Sequence, residues 1–404
     1  MRILIANKYY YSRGGDCIYT IELEKLLKEK NHEVAIFSME HPLNLDSGFS
    51  SYFPREIDYN RKSLKTFFTA IFRPFGTGEV KKKFRELIKD FEPDIIHLNN
   101  IHTQLSPVIA QEAYRNNIPV VWTLHDGKLV CPAYLFLSNN LICEDCVSKS
   151  KISVVKKKCI KNSLMASILA WFEAIYWNRE KLSVITGRLI APSEFLKGKL
   201  ILDGYRSSKI SVLNNFISKS KYGTISSERK DQYCYIGRLS SEKGIETLLK
   251  AAEQFPEFKL IIIGTGPLEV DLKRKYENHH IEFTGYRKWD DIKDILASSG
   301  CMVIPSKCYE NNPLTILESL CLGTPVIGSD TGGIPELIKP GVNGLLFNSG
   351  NVEDLQEKIK YLFDNSHVFN YPEIASDARK KYSSEAHYEK LNSIYNDLLH
   401  IKNH

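Results

Sequence analysis

Two glutamates eight positions apart, Glu310 and Glu318, bracket the segment Tyr309-Glu-Asn-Asn-Pro-Leu-Thr-Ile-Leu-Glu-Ser. The segment follows a β-branched run that ends near Pro305 and opens a stretch of good helix propensity. Eight positions is just over two helical turns, so both carboxylates can meet one ligand at successive depths. A carboxylate offers two acceptor oxygens, which suits Glu318 to the vicinal hydroxyls of a diol. The bland alternative is that Glu310 only favours the helix dipole and Glu318 is a solvated helix residue.

A second set of residues suits a diphosphate. The run Tyr233 to Ile236 reads as a strand and passes into Gly237-Arg238-Leu-Ser-Ser-Glu-Lys243-Gly244, which puts two cations beside a helix start whose dipole also favours anions. Further on, Gly328-Ser-Asp-Thr-Gly332-Gly333-Ile-Pro-Glu336 carries a double glycine that permits close backbone approach to a ligand. Gly264-Thr-Gly266 superficially matches a dinucleotide fingerprint, but Glu269 stands where the third glycine belongs, so a dehydrogenase is disfavoured. In the first half, Gly14-Gly15-Asp16 follows the first strand, and His125-Asp126 follows the run Pro119 to Leu124. A histidine at a strand's carboxyl end is a candidate functional group, ahead of His97 and His102.

The elements that must position these residues alternate between β-branched runs and helical patterns. Runs at 2–7, 33–38, 94–98, 119–124 and 188–191, with helices between them, predict a doubly wound parallel sheet. The polar segment Ser218 to Asp231 reads as a linker. Runs at 233–236, 259–263, 281–284, 301–305 and 325–328 then start the alternation again. The expected organisation is an acceptor-side Rossmann-like domain over 1–217 with an insertion at 131–159, and a donor-binding Rossmann-like domain over 218–382. A helix over 383–404, with Tyr388, Leu391, Ile394, Tyr395 and Leu398 at helical spacing, packs back toward the first domain. With 404 residues, 43% of them hydrophobic, the chain is long enough for two cores, and two domains imply a central cleft.

A formal charge of +6 is modest for this length, and no aromatic and basic residues interleave as in nucleic-acid-binding modules, so nucleic acid is not an expected partner. Met1-Arg-Ile-Leu-Ile-Ala reads as a buried strand with no secretory leader, which predicts a cytoplasmic protein. In that compartment the cysteines stay reduced. Cys131, Cys143, Cys146 and Cys159 form C-x11-C-x2-C-x12-C in the basic insertion, a spacing compatible with a structural zinc site of four thiolates. Four cysteines leave no open position, so the zinc is not expected to be catalytic. The insertion's lysines precede the apolar stretch from Leu164 to Trp177 with Trp171 and Phe172. That pattern fits either a core helix or a face that docks on an anionic inner membrane surface.

The order Gly237-Arg238, Glu242-Lys243-Gly244, Glu310 to Glu318 and Gly332-Gly333-Ile-Pro-Glu resembles family 4 of the retaining glycosyltransferases, with the GT-B fold. Arg13-Gly14-Gly15, His125-Asp126 and Ala191-Pro-Ser-Glu194 extend the resemblance over nearly the whole chain. It implies that Arg238 and Lys243 hold a donor diphosphate and that Glu318 binds the ribose hydroxyls. Glu310, with Asn311, Asn312, Leu314 and Thr315 after it, would hold the transferred sugar. His125 would contact that sugar, Gly15 would offer its backbone to the phosphates, and Asp126 and His102 would lie on the acceptor side.

The same resemblance implies retention by front-face attack, with no cofactor for catalysis. Two cations and helix N-terminal amides can neutralise a leaving diphosphate, and no Asp-x-Asp pair is placed for a divalent ion. The expected reaction moves a hexose or N-acetylhexosamine from a nucleotide sugar, a UDP-sugar ahead of GDP-mannose, to a glycan or lipid-linked acceptor in surface polysaccharide synthesis. A GT-B-fold sugar-nucleotide epimerase and a non-catalytic nucleotide-sugar-binding protein are the alternatives. Two departures concern substrates: Asn311-Asn312-Pro313 stands where many relatives carry a Gly-Phe-Gly type run, and Gly127 stands where an aromatic residue is common. The second is expected to widen the acceptor side.

Overall fold

The computed structural model of the chain describes residues 1–57, 71–76, 78–226 and 228–402. Ser227, inside the expected linker, lies outside the described residues. The chain divides into two compact units, the first of residues 1–136, 143–213 and 388–404, the second of residues 137–142 and 214–387.

The first unit is built on six parallel strands: β1 (Arg2–Ala6), β2 (Glu33–Phe37), β3 (Ile95–Leu98), β4 (Val120–Thr123), and two later ones. A short hairpin of β5 (Leu137–Ser138) and β6 (Leu141–Ile142) intervenes before β7 (Arg188–Ala191) and β8 (Ile210–Val212). The spatial order is β2-β1-β3-β4-β7-β8. β3, β4 and all but one residue each of β1, β2 and β7 are buried, which is why these runs read as continuously apolar rather than alternating.

The second unit repeats the scheme with β9 (Lys230–Ile236), β10 (Lys259–Ile263), β11 (Ile281–Gly285), β12 (Ser299–Ile304), β13 (Val326–Ser329) and β14 (Gly344–Phe347), in the order β11-β10-β9-β12-β13-β14. All its pairings are parallel. Both units are therefore Rossmann-like, as expected from the alternation. In each, the strand order reverses beside the first strand, between β1 and β3 and between β9 and β12. Ligands of open parallel sheets bind beyond the carboxyl ends of strands at such a reversal.

β8, β14 and the hairpin had no counterpart in the sequence reading. β8 and the hairpin strands have two or three residues each, too few for a pattern to show. His97 explains itself once the sheet is seen. Its Nδ1 lies 2.6 Å from the Tyr395 hydroxyl and its Nε2 2.7 Å from Thr123 Oγ1, and all three residues are buried. It is a satisfied core histidine that ties the helix Ser384–Lys402 to the first sheet.

Glycines set how closely the loops of the second unit approach one another. Gly244 has φ +69, and a side-chain carbon added there would lie 1.8 Å from the carbonyl oxygen of Pro305. The loop after β9 thus closes onto the end of the chain leaving β12. Gly264 and Gly266 likewise leave no room for a Cβ against the backbone of Gly237 and Leu239. Their glycine character serves contact between protein loops, consistent with the failed dinucleotide pattern.

Gly244→Ala introduces both a strained backbone and this clash. It should destabilise the second unit by about 2–3 kcal/mol, read as a lower thermal midpoint, whereas alanine at exposed Gly341 (φ +76, with open space around it) should cost less.

Candidate donor and acceptor sites

The two loops that flank the β9/β12 reversal carry the residues singled out above. Gly237 and Arg238 follow β9 directly, Arg238 is exposed, and the Tyr235 hydroxyl donates to its carbonyl at 2.8 Å. Lys243 ends a short 3-10 turn before the helix Ile245–Ala252. From β12, the chain passes through Ser306 to Glu310. Lys243 Nζ lies 2.6 Å from Glu310 Oε1, and the Ser306 hydroxyl donates to the same oxygen at 2.7 Å. The side chains are 31% and 14% exposed, so the pair is partly withdrawn from water but open on one side.

The electrostatics follow from that geometry. Burial pulls the Glu310 carboxyl upward, but the Lys243 ammonium and the Ser306 hydroxyl outweigh it and hold the group below the usual carboxylate range. Burial works against the Lys243 charge too, yet Glu310, Cys308 and Glu242 raise its pKa. The pair is charged at neutral pH.

Glu310 does not lie on a helix. The helix runs Leu314–Cys321, so the eight-position spacing is a loop followed by one helical turn, not two turns of one helix. The reason is Pro313, whose extended conformation (φ −66, ψ 122) ends the loop and starts the helix after it. No side chain caps this helix, so the amides of Leu314 and Thr315 meet no side-chain acceptor. Glu318, 7% exposed, is not a solvated helix residue. It is bonded to Lys221, whose ammonium also lies over the Trp289 ring at 4.8 Å. Asn312 is 5% exposed and turned to Asn215: its Oδ1 accepts from the Asn215 amide at 2.8 Å, while its Nδ2 has no partner. Asn311 is half-buried beside it.

Gly332 and Gly333 clasp this loop. Gly332 has φ +62 and no room for a Cβ against the Glu310 carbonyl at 2.4 Å, and the Gly333 amide donates to that carbonyl at 2.6 Å. The double glycine therefore approaches the backbone that carries Glu310, where the sequence suggested a ligand.

In the first unit, Gly15 opens the helix Gly15–Glu29 after an extended, uncapped Gly14, and it is exposed. His125 follows β4, its Nε2 2.9 Å from Asn99 Oδ1 and its ring 4.8 Å edge-on from Tyr19. An amide oxygen only accepts, so Nε2 carries the proton and Nδ1 is left as an acceptor. Burial lowers the His125 pKa to about 4, against the raising influence of Asp16. The imidazole is therefore neutral at pH 7. Asp126 accepts the Lys128 amide at 2.9 Å. Burial raises its pKa, against Lys8 and Lys128.

His102 leans on Trp122 and lines a cavity of about 530 Å³ together with Lys128, Trp171, Glu173 and Arg179. Lys128 Nζ lies 3.0 Å from Glu173 Oε2, both side chains nearly buried, and Glu173 Oε1 has no partner. Gly127 does not widen this side. A Cβ there would fall 2.0 Å from the Phe136 ring, which is 3% exposed and occupies the space. The aromatic group comes from the insertion instead of the next position. Lys221 and Asn99 escaped the sequence reading because each gains its role only through a partner distant in the chain, and Ser306 and Phe136 because no periodic pattern reports how an irregular loop folds back on itself.

Two Rossmann-like units, with a paired cation and carboxylate at the reversal point of the second, define a GT-B protein of nucleotide-binding type. The chain belongs to glycosyltransferase family 4: the family described as Glycosyltransferase Family 4 matches residues 13–221, and Glycosyl transferases group 1 matches residues 219–385. It is accordingly a glycosyltransferase that uses a nucleotide-sugar donor. N-acetyl-alpha-D-glucosaminyl L-malate synthase of Bacillus anthracis is 24% identical over 99% of this chain and 98% of its own length. Sulfoquinovosyl transferase SQD2 of Arabidopsis thaliana is 35% identical over 32% of this chain and 26% of its own. Among solved structures, sucrose-phosphate synthase from Thermosynechococcus elongatus has a TM-score of 0.71 at 18% identity, covering 99% of both chains. Anabaena HepE in complex with UDP and glucose has a TM-score of 0.68 at 18% identity, covering 98% of this chain and 100% of its own. Among the described residues no helix is long and apolar enough to cross a membrane.

A neutral, buried His125 has a direct spectroscopic signature. Imidazole chemical shifts followed by NMR should show it neutral at pH 6, with Nε2 carrying the single ring proton and a midpoint near 4, whereas an ordinary histidine titrates near 6.5. Because the unfolded state takes up a proton first, this group's contribution to stability is present above about pH 6.5 and is lost as the pH falls toward 4.

Proposed function

We propose that the chain is a retaining, metal-independent hexosyltransferase that takes its sugar from a UDP-sugar and passes it to a glycan or lipid-linked glycan during surface polysaccharide synthesis. The observation that carries the donor reading is the Lys243–Glu310 pair at the strand reversal, with Arg238 exposed beside it. Arg238 and Lys243 bind the diphosphate, and Lys243 exchanges part of its contact with Glu310 for phosphate oxygen. Glu318 accepts the ribose hydroxyls in place of Lys221. Glu310, Asn311 and the amides of Leu314 and Thr315 hold the sugar. Asn312, by its ties to Asn215, fixes the loop's shape.

In the reaction, the bond from C1 of the sugar to the phosphate oxygen breaks while the acceptor oxygen bonds C1 on the same face. The acceptor's proton passes to the departing phosphate oxygen. Arg238, Lys243 and the uncapped amides stabilise the negative charge that develops there. In the first unit His125, neutral and with Nδ1 free to accept, binds a sugar hydroxyl. The Gly15 amide region favours an anion, and His102 and Asp126 lie with the acceptor. The HepE complex with UDP and glucose and the amylovoran biosynthesis glycosyltransferase AmsK of Erwinia amylovora, 28% identical over 42% of this chain and 47% of its own, favour UDP and polysaccharide.

The acceptor reading extends to the membrane. On the helix Leu164–Tyr176, Leu164, Met165, Phe172, Ile175 and Tyr176 are exposed, while Trp177 just beyond it is buried. Exposed Lys156, Lys157, Lys158 and Lys161 precede it. Apolar side chains next to lysines suit the headgroup layer of an anionic bilayer, where a lipid-linked acceptor is found.

UDP should raise the thermal midpoint. Arg238→Ala should weaken UDP binding about 10–100-fold, as expected for losing a charged hydrogen bond, and Glu318→Gln should weaken it by a similar factor. Product anomers read by NMR should match the donor, and chelator should not slow transfer; inverted product or chelator-abolished transfer would refute those parts separately. In a second test, vesicles containing anionic lipid should co-sediment the protein and neutral vesicles should not, and Phe172→Glu should reduce binding several-fold. Equal binding to neutral vesicles, or no effect of Phe172→Glu, would reject docking through this helix.

A further inference from the structure

Four cysteines of the first unit take no part in the donor or acceptor chemistry. Cys131, Cys143, Cys146 and Cys159 form no disulfide, and local contacts shape the chain around them. Between 131 and 136 the backbone folds back on itself, with Tyr134 at φ 59 and Phe136 at φ 52. This turn directs the amides of Ala133 and Phe136 to the Cys131 sulfur. The Phe136 carbonyl then accepts the Cys143 amide at 2.8 Å, which carries the second cysteine to the first. Lys157 Nζ lies 3.3 Å from Cys143 Sγ and 2.6 Å from Asp145, so the chain leading to Cys159 also turns toward the C-x2-C pair. Cys146 lies within electrostatic range of the other three sulfurs.

These contacts are those of a sulfur acceptor. A neutral thiol is a weak acceptor, whereas a thiolate accepts backbone amides and an ammonium readily. A bound divalent cation is what lets neighbouring cysteines carry the thiolate charge that such donors favour.

The insertion also has little else to hold it. Its regular structure is a hairpin of two-residue strands and one four-residue helix. Its buried apolar residues are few, among them Ala133, Phe136, Val147 and Val154. Tyr134, Phe136, Ser148, Lys158 and Lys161 all adopt left-handed backbone without being glycine. Strained backbone persists only where its surroundings over-determine it.

We propose that Cys131, Cys143, Cys146 and Cys159 bind one structural zinc ion as four thiolates, and that this ion pins the insertion in place. Among the described residues no group of three or more His, Cys, Asp or Glu side chains is set to hold an ion as it stands. Binding therefore draws the sulfurs inward, a movement that short loops without regular structure permit. The ion releases four thiol protons and completes a closed tetrahedral set with no position for substrate. Its effect on the reaction is indirect: it fixes Phe136, whose ring lies against Gly127 beside His125 and Asp126.

The full chain, purified without chelator from zinc-supplemented medium, should contain one zinc per chain by elemental analysis. Substitution with cobalt should give the absorption bands of tetrahedral thiolate coordination. Cys143→Ser, at a half-buried position, should lose most of the metal while the circular dichroism of the two sheets persists. Cys17→Ser, outside the insertion, should keep the metal. Intact protein carrying far less than one zinc with the four thiols alkylated by iodoacetamide, a disulfide among them by mass spectrometry, or stoichiometric iron would each overturn the proposal. None of these readouts depends on transfer activity, so the zinc site and the donor site stand or fall separately.

Discussion

The Lys243–Glu310 ion pair exists because the second sheet reverses its strand order between β9 and β12. At that reversal the two following loops turn to opposite sides, and the gap between them admits a ligand. One loop brings the cation and the other the carboxylate. A partly buried pair of this kind adds little net stability, because desolvation offsets most of the attraction. What it contributes is position: both groups are charged, desolvated on one side, and held before any ligand arrives.

Much of the surrounding structure serves that position. Gly244 lets the β9 loop close on Pro305, and Gly332 with Gly333 grips the backbone of Glu310 from the β13 side. Ser306 supplies a second donor to the carboxylate. Asn312 and Asn215 fix the far end of the loop, just before Pro313 starts the helix that carries Glu318. Each contact removes a degree of freedom from Glu310. The loop is irregular in conformation but tightly determined.

In the first unit, the same topology is used with different chemistry. At the carboxyl end of β4 sits a neutral histidine, fixed by Asn99 and Tyr19, with the Lys128–Glu173 ion pair further along the chain. A neutral imidazole donates and accepts hydrogen bonds without drawing a counterion, which suits hydroxyl-rich ligands. The cysteine insertion leaves the sheet just after this point, and its Phe136 ring closes over Gly127.

The alternating pattern of apolar runs and helices was enough to read two doubly wound units, because strands buried on both faces must be continuously apolar and that signal is local. The glutamates and basic residues were legible as a set because loops at strand ends carry few residue types suited to anions and diols. Partners were not legible. Nothing near Glu318 in the chain points to Lys221, nothing near Gly127 points to Phe136, and nothing near His97 points to Tyr395. The same limit made Glu310 and Glu318 look like two turns of one helix. Side-chain type and spacing report what a residue is able to do, whereas burial and the distance to a residue far along the chain decide what it does, and only the folded sheet brings those distances into being.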